Sequence, residues 1–165
     1  MNRRLFLIRF FTTCGGLLVA TTHPFAAPWE QQSLDPILKD DAEWKKILSA
    51  EVYEILRQEG TERPFSSPLN HEKRDGIYCC AGCDLALFTS AMKYDSGTGW
   101  PSFTTAIPHR LAQKTDFNFF FPRTEYHCAR CGGHQGHIFD DGPPPTKQRW
   151  CNNGLALRFK PDNKT

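Results

Sequence analysis

Cys80-Ala81-Gly82-Cys83 and Cys128-Ala129-Arg130-Cys131 are two Cys-x-x-Cys pairs with small or flexible residues in each turn. Each pair presents two thiolates on one side of a tight turn. That is half of a tetrahedral zinc shell, and two pairs complete it. The gap between them is much longer than in a compact zinc ribbon, so the metal would pin two distant hairpins of one fold instead of organising a self-sufficient finger. Two disulfides and a redox-active Cys-x-x-Cys are the competing readings, although two matched pairs are one too many for a redox centre. A closed four-thiolate shell has no open position for substrate, so a zinc held by Cys80, Cys83, Cys128 and Cys131 would be structural. Cys79 offers another register, Cys79 with Cys83. In a strand it points away from Cys80, and the two-residue spacing is the better ligand geometry.

Outward from these pairs the chain reads as short strands and turns. Gly76-Ile77-Tyr78-Cys79 leads into the first turn and Leu85-Ala86-Leu87-Phe88 leads out of it. Phe117 to Phe121 is a compact aromatic run, and residues 148–159 are long enough for one or two strands. Upstream, Trp44, Ile47, Leu48, Val52, Ile55 and Leu56 recur at spacings of three and four. This predicts one or two short helices over residues 41–59, with Ser49 capping the second and Gly60 stopping it. Residues 61–74 read as loop, since Pro64 and Pro68 disfavour regular structure. Residues 28–40, with Pro28 and Pro36, read as an extended linker. The body is therefore expected to be mainly antiparallel β behind a short helical segment.

The 165 residues suffice for one domain, and with 39% hydrophobic and 13% aromatic residues the chain can build a core. The formal charge is +2, from 20 Lys and Arg against 18 Asp and Glu, which argues against a nucleic-acid binder driven by phosphate neutralisation. Residues 1–27 hold Arg3, Arg4 and Arg9 and no acid; without these three, 17 basic residues face the same 18 acids. This leader has a basic start, a moderately apolar run from Phe10 to Ala20 and small residues at Ala26 and Ala27, the layout of an export signal. Its run is too short and interrupted for a membrane span. Asn2-Arg3-Arg4-Leu5-Phe6-Leu7 resembles the twin-arginine motif, which implies export of protein already folded, with metal loaded and thiolates protected. Cys14, inside the leader, reads as incidental.

Cys151 stands in Gln148-Arg149-Trp150-Cys151-Asn152-Asn153. If this is a strand, Arg149, Cys151 and Asn153 share a face. The cation would then favour the thiolate, the nucleophilic form; a merely packed cysteine is the plainer alternative. Gly133-His134-Gln135-Gly136-His137 places two histidines three apart, able to ligate a metal or to move protons. Trp100, on the glycine-rich turn Gly97-Thr98-Gly99, is either core or a wall for a small apolar group. His71, His109 and His127 belong to no site motif and read as surface or structural.

Taken together, Gly76-Ile77-Tyr78 with the first cysteine pair, Gly99-Trp100-Pro101-Ser102-Phe103, Arg123-Thr124-Glu125 with the second pair, the histidine segment and Arg149-x-Cys151-x-Asn153 resemble the methionine-R-sulfoxide reductases of the B type. The resemblance runs in order from about Trp44 to Pro161. It implies two antiparallel β-sheets with a short helical N-terminal segment, pinned by one structural zinc on the two cysteine pairs. It also implies that Cys151 attacks the sulfoxide sulfur, releasing methionine and leaving a sulfenic acid. Trp100 would wall the pocket of the substrate methyl group, and His134, His137 and Asn153 would hold the sulfoxide oxygen directly or through water. Arg149 would lower the pKa of Cys151.

The expected organisation is an export signal over residues 1–27, a linker over 28–40 and a catalytic domain over 41–161. The expected protein is an exported, periplasmic monomer that repairs free or protein-bound oxidised methionine. Its electrons would come from a thioredoxin-like partner, and it would make no stable membrane insertion. Many family members have a resolving cysteine where Thr98 stands, so either an external thiol reduces the Cys151 sulfenic acid, the preferred reading, or Cys79 does. Trp150 replaces a usual tyrosine. Asn152 stands where an apolar residue is usual, which puts local packing in question. The rivals are a zinc-stabilised β module that binds a protein partner without catalysis, which would have no need of Cys151, and a thiol–disulfide oxidoreductase using one cysteine pair.

Overall fold

In the computed structural model, which describes residues 29–117 and 121–162, the first regular element begins at Asp41, capped by Asp40. The expected leader with Cys14, residue Pro28 and the middle of the aromatic run lie outside the described residues. The Asp40 carboxylate accepts from Glu43 N at 2.8 Å and the Glu43 carboxylate from Asp40 N at 2.9 Å, a capping box that starts α1 (Asp41–Ile47). Ser49 caps α2 (Ala50–Gln58) as expected, accepting from Val52 N. The helix stops slightly differently from the expectation. Glu59, not Gly60, takes the left-handed conformation (φ 56°), and Gly60 N donates back to Glu54 O at 3.0 Å. Within the expected loop, Pro68–His71 forms a 3₁₀ turn capped by Ser67. Pro68 initiates it because an N–H at that position would have had no partner within the turn.

The strands follow as β1 (Gly76–Cys80), β2 (Ala86–Thr89), β3 (Lys93–Tyr94), β4 (Ser102–Phe103) and β5 (Leu111–Asp116). After them come β6 (Arg123–Cys128), β7 (His134–Phe139), β8 (Arg149–Asn152) and β9 (Leu157–Pro161). They make two antiparallel sheets, β2-β1-β9 and β3-β4-β8-β7-β6-β5. Residues 148–159 thus supply two strands, and each joins a different sheet. Tyr78 and Phe88 on the inner face of the small sheet meet Phe103, Tyr126 and Trp150 on the inner face of the large one. Phe88 stacks on Phe103 with centroids 4.0 Å apart, and Tyr126 meets Trp150 edge-on at 5.0 Å. Aromatic pairs in such arrangements add to the apolar area they bury. The aromatic run falls between β5 and β6, with Phe117 and Phe121 exposed.

Residues 29–40 carry no helix or strand, yet they are bonded to the body. The Gln32 side chain donates to Asp84 O and accepts from Ala86 N, and Ile37 N donates to Arg130 O at 2.7 Å. The Arg110 guanidinium donates to the carbonyls of Trp29, Glu30 and Gln32. This segment therefore lies across both cysteine turns. Trp29 also packs on a small cluster of Cys79, Ala86 and Ile107, on the opposite face of β1 from Tyr78 and Cys80.

Candidate functional site

The two cysteine turns have the same backbone construction. Cys80 O accepts from Asp84 N and Cys80 N donates to Leu85 O; likewise Cys128 O accepts from Gly132 N and Cys128 N donates to Gly133 O. Asp84 (φ 64°) and Gly132 (φ 68°) occupy the matching left-handed position. This wraps the chain so that both sulfurs of a turn face one point. Cys80 Sγ lies 3.6 Å from Cys131 Sγ and Cys83 Sγ 3.5 Å from Cys128 Sγ, with all four sulfurs within 4.8 Å of one another. A disulfide needs about 2.05 Å, whereas a tetrahedral zinc with bonds of about 2.3 Å spaces its sulfurs by about 3.8 Å. The four cysteines can therefore hold one zinc ion, joining the β1–β2 turn of one sheet to the β6–β7 turn of the other. Leu56 of α2 wedges between the turns, and a Cβ at Gly82 or Gly133 would come within 3.2 Å of it. Small residues in these turns let the helix pack directly against them, with Cys80, Cys128 and Cys131 buried and Cys83 half-buried.

The second constellation lies on the outer face of the large sheet. Cys151, in β8, has Ser102 of β4 and His137 of β7 as cross-strand neighbours. The row continues through Glu125 to Lys114. A pocket of about 130 Å³ opens over it, lined by Cys151, Trp100, His137, Asn153, Thr61, Arg123 and Phe139 among others. Burial pushes the Cys151 thiol up; the nearby Arg149 guanidinium, first through its charge, and the Thr98 side chain pull it back, short of cancelling that rise. The expected lowering by Arg149 is thus real as a contribution but is outweighed by desolvation. Arg149 is also shared. It makes a two-pronged pair with Asp141 at 2.7 and 3.0 Å and lies over the Phe139 ring.

Two histidines three apart on a regular strand would face opposite ways. Here a bulge shifts the register, so that Tyr126 pairs with Gly136 but His127 with His134. The extra residue, Gln135, brings both rings to one face with centroids 5.5 Å apart. His134, almost fully buried, places Nδ1 2.9 Å from Glu125 Oε1. Burial pushes the Glu125 carboxyl up, but the bonds from Lys114 and His134 outweigh it and hold it below its usual range. Glu125 is thus an acceptor, which puts the proton on His134 Nδ1 and leaves the buried Nε2 without a partner among the described residues. His137 Nε2 lies 2.8 Å from Asp116 Oδ2, and burial holds this ring below its usual pKa despite the carboxylate.

Of the residues singled out in the sequence, Cys151, Trp100, His137 and Asn153 meet at the pocket; His134 and Arg149 do not line it, but each contacts a residue that does, His137 and Phe139 respectively. Asn153 lies one residue past β8, so strand alternation does not place it there. Its side chain is held by the backbone, with Oδ1 accepting from Glu62 N and Nδ2 donating to Gln135 O. Asn152, the out-of-place polar residue, is fully buried and satisfied. Tyr126 Oη donates to its Oδ1 at 2.8 Å, and its Nδ2 donates to Asn153 O. Glu62 was not visible as a site residue. Its carbonyl accepts from Trp100 Nε1 (3.1 Å), and its buried carboxylate accepts from the N–H groups of Gly154 and Leu155. Its sequence neighbours carry no motif; only the fold brings it to Trp100 and Asn153.

Two glycines let the backbone approach itself here. Gly99 has φ 96°, and a Cβ on it would lie 2.8 Å from Pro64 Cβ. A Cβ on Gly136 would lie 1.9 Å from Cys151 O, inside the ladder that carries the thiol. Gly136→Ala is therefore expected to cost about 3 kcal/mol or more, measured as a lower urea midpoint, and to slow alkylation of Cys151.

The chain is thus a β-protein with a thiol in a small pocket on one sheet and, between its two sheets, four cysteines that can hold one zinc ion. Residues 48–161 match the SelR domain model, and the chain belongs to the SelR domain family. It is 50% identical to the peptide methionine sulfoxide reductase MsrB of Methanosarcina barkeri over 127 residues, 76% of this chain and 89% of that protein. To the MsrB of Agrobacterium fabrum it is 48% identical over 74% of this chain and 92% of that one. To that of Pseudomonas putida strain W619 it is 48% identical over 79% and 96%.

Proposed function

We infer that this chain is a peptide-methionine (R)-S-oxide reductase, and the observation that carries the reading is the pocket joining Cys151 to Trp100 on the sheet face that also presents His137. The Cys151 thiolate attacks the sulfoxide sulfur while the oxygen takes a proton and passes to the enzyme sulfur. Thiolate, sulfoxide and one proton give sulfenic acid and thioether. Two external thiols then return the sulfenic acid to thiol, with release of water and a disulfide. Trp100, fixed through its indole N–H, walls the space for the substrate methyl group. His137 and Asn153 hold the oxygen, and His134 supports them from behind. The zinc, when bound, supplies only a fixed join between the two sheets.

External regeneration is supported by the placement of Cys79. It faces the Trp29 side of β1, away from the inter-sheet core, and burial pushes its thiol up to about 11. A Cys79–Cys151 disulfide would require β1 to turn over. We assign the reductant to the thioredoxin-like class and expect a monomer. Among the described residues no helix is long and apolar enough to cross a membrane. The basic start, short apolar run and terminal small residues of positions 1–27 support export to the periplasm, with 28–40 joining the leader to a catalytic domain over 41–161.

The test is stereochemical. Purified protein with dithiothreitol is expected to reduce the R epimer of a dabsylated methionine sulfoxide and to leave the S epimer. Reduction of neither epimer, or of both equally, would refute the assignment.

A further inference from the structure

Trp100 and Asn153 belong to separate turns, and one residue that does not itself line the pocket grips both. Trp100 Nε1 donates to Glu62 O at 3.1 Å, and Glu62 N donates to Asn153 Oδ1 at 3.1 Å. The Glu62 carboxylate spans the turn after β8, one oxygen accepting from Gly154 N and the other from Leu155 N. Glu62 is buried, and among the described residues backbone N–H groups hold its carboxylate, with no cation beside it. Burying a carboxylate costs desolvation. Its two acceptor oxygens are what two adjacent N–H donors need, and a glutamine has only one.

Each grip settles something the chemistry needs. The indole has one proton to give, and Glu62 O takes it. Phe65 N also donates to Gly99 O at 2.7 Å, but that bond holds the backbone of the turn and not the Trp100 ring. An amide side chain can face two ways. Because Glu62 N can only donate, it turns Asn153 Oδ1 toward itself. Asn153 Nδ2 then gives one proton to Gln135 O at 3.2 Å and has a second for an oxygen in the pocket.

We propose that Glu62 is a positioning residue, which staples its own peptide to the turn after β8 and so holds the Trp100 ring and the Asn153 amide in one fixed relation. The proposal deepens the reductase reading and rests on it. Telling the epimers of a sulfoxide apart requires three of its features to be met at fixed points: the face attacked, the methyl group and the oxygen. Cys151 meets the first, Trp100 the second, and Asn153 with His137 the third. Glu62 ties the second point to the third.

Glu62→Gln keeps the length of the side chain but offers one acceptor to two N–H donors. It is expected to raise KM for a dabsylated methionine R-sulfoxide about tenfold, through the loosened indole. KM does not depend on how much of a preparation is folded, so partial unfolding cannot imitate this shift. In the Trp100→Phe background, which has no indole N–H, the same substitution is expected to change KM by less than about twofold. Glu62→Asp keeps two acceptors on a shorter arm and is expected to raise KM only about threefold. Should Glu62→Gln fail to fold, this smaller shift and its disappearance with Trp100→Phe read the same coupling. A wild-type KM in folded Glu62→Gln, or an equal rise in KM with and without the indole, would overturn the proposal. No turnover of R-sulfoxide by the wild-type protein would refute the reductase reading, and the positioning role with it.

Discussion

Cys151→Ser is expected to lower R-sulfoxide reduction by a factor on the order of 10⁴ or more, to below detection, while the protein keeps its zinc and its fold. A serine hydroxyl at this position is far less ionised than a thiol. It also lacks the polarisable lone pair that attacks sulfur, so the groups around it have nothing to activate. Cys151 is only part-buried and points into the pocket, so replacing sulfur by oxygen leaves no void in the inter-sheet core. A zinc-bearing variant that still reduces sulfoxide would remove Cys151 from the chemistry. It would also revive the two readings that do without it, a binding module and a redox-active cysteine pair. The pair reading is already disfavoured by geometry, because each turn lends its sulfurs to a shared four-sulfur cluster.

The cysteine turns were legible in the sequence because everything they need is local: spacing, small residues, and a following position that tolerates positive φ. The helices were legible for the same reason, through the three-and-four spacing of their apolar residues and Ser49; the capping box at Asp40 emerged only in the structure. The pocket was only half legible. Cys151 and Trp100 announce themselves by chemistry, but Glu62, Thr61 and Phe139 reach the site through pairings distant in sequence. Asn153 does line the pocket, but not by strand alternation, since β8 ends before it and a buried carboxylate on Glu62 shapes the turn that follows. The two histidines share a face only through the bulge at Gln135, and a bulge has no signature in a single strand. The effect of Arg149 on Cys151 had the right sign but lost to desolvation, a quantity that depends on what the completed fold packs around the sulfur.

Loss of the metal is expected to be the largest stability effect in the protein. The bridge from Cys83 to Cys128 closes a loop of 45 residues. By the loop-closure relation for cross-links it is worth about 4 kcal/mol, or roughly 10–20 °C in Tm for a domain of this size. Cys128→Ser, or incubation with a strong chelator, should therefore lower Tm by roughly that amount, with zinc content measured by atomic absorption falling in parallel. Cys79→Ala should keep its zinc, because Cys79 packs on the far face of β1 from the cluster. Activity distinguishes a structural metal from a catalytic one. Well below the lowered Tm, chelated protein should still reduce R-sulfoxide, since four sulfurs complete a tetrahedral shell with no open position and the pocket lies apart from them on the outer face of the large sheet. Abrupt loss of activity on chelation, with the fold intact by circular dichroism, would place the metal in the reaction. Loss of stability to reductant instead of chelator would show two disulfides where the sulfur spacing fits zinc.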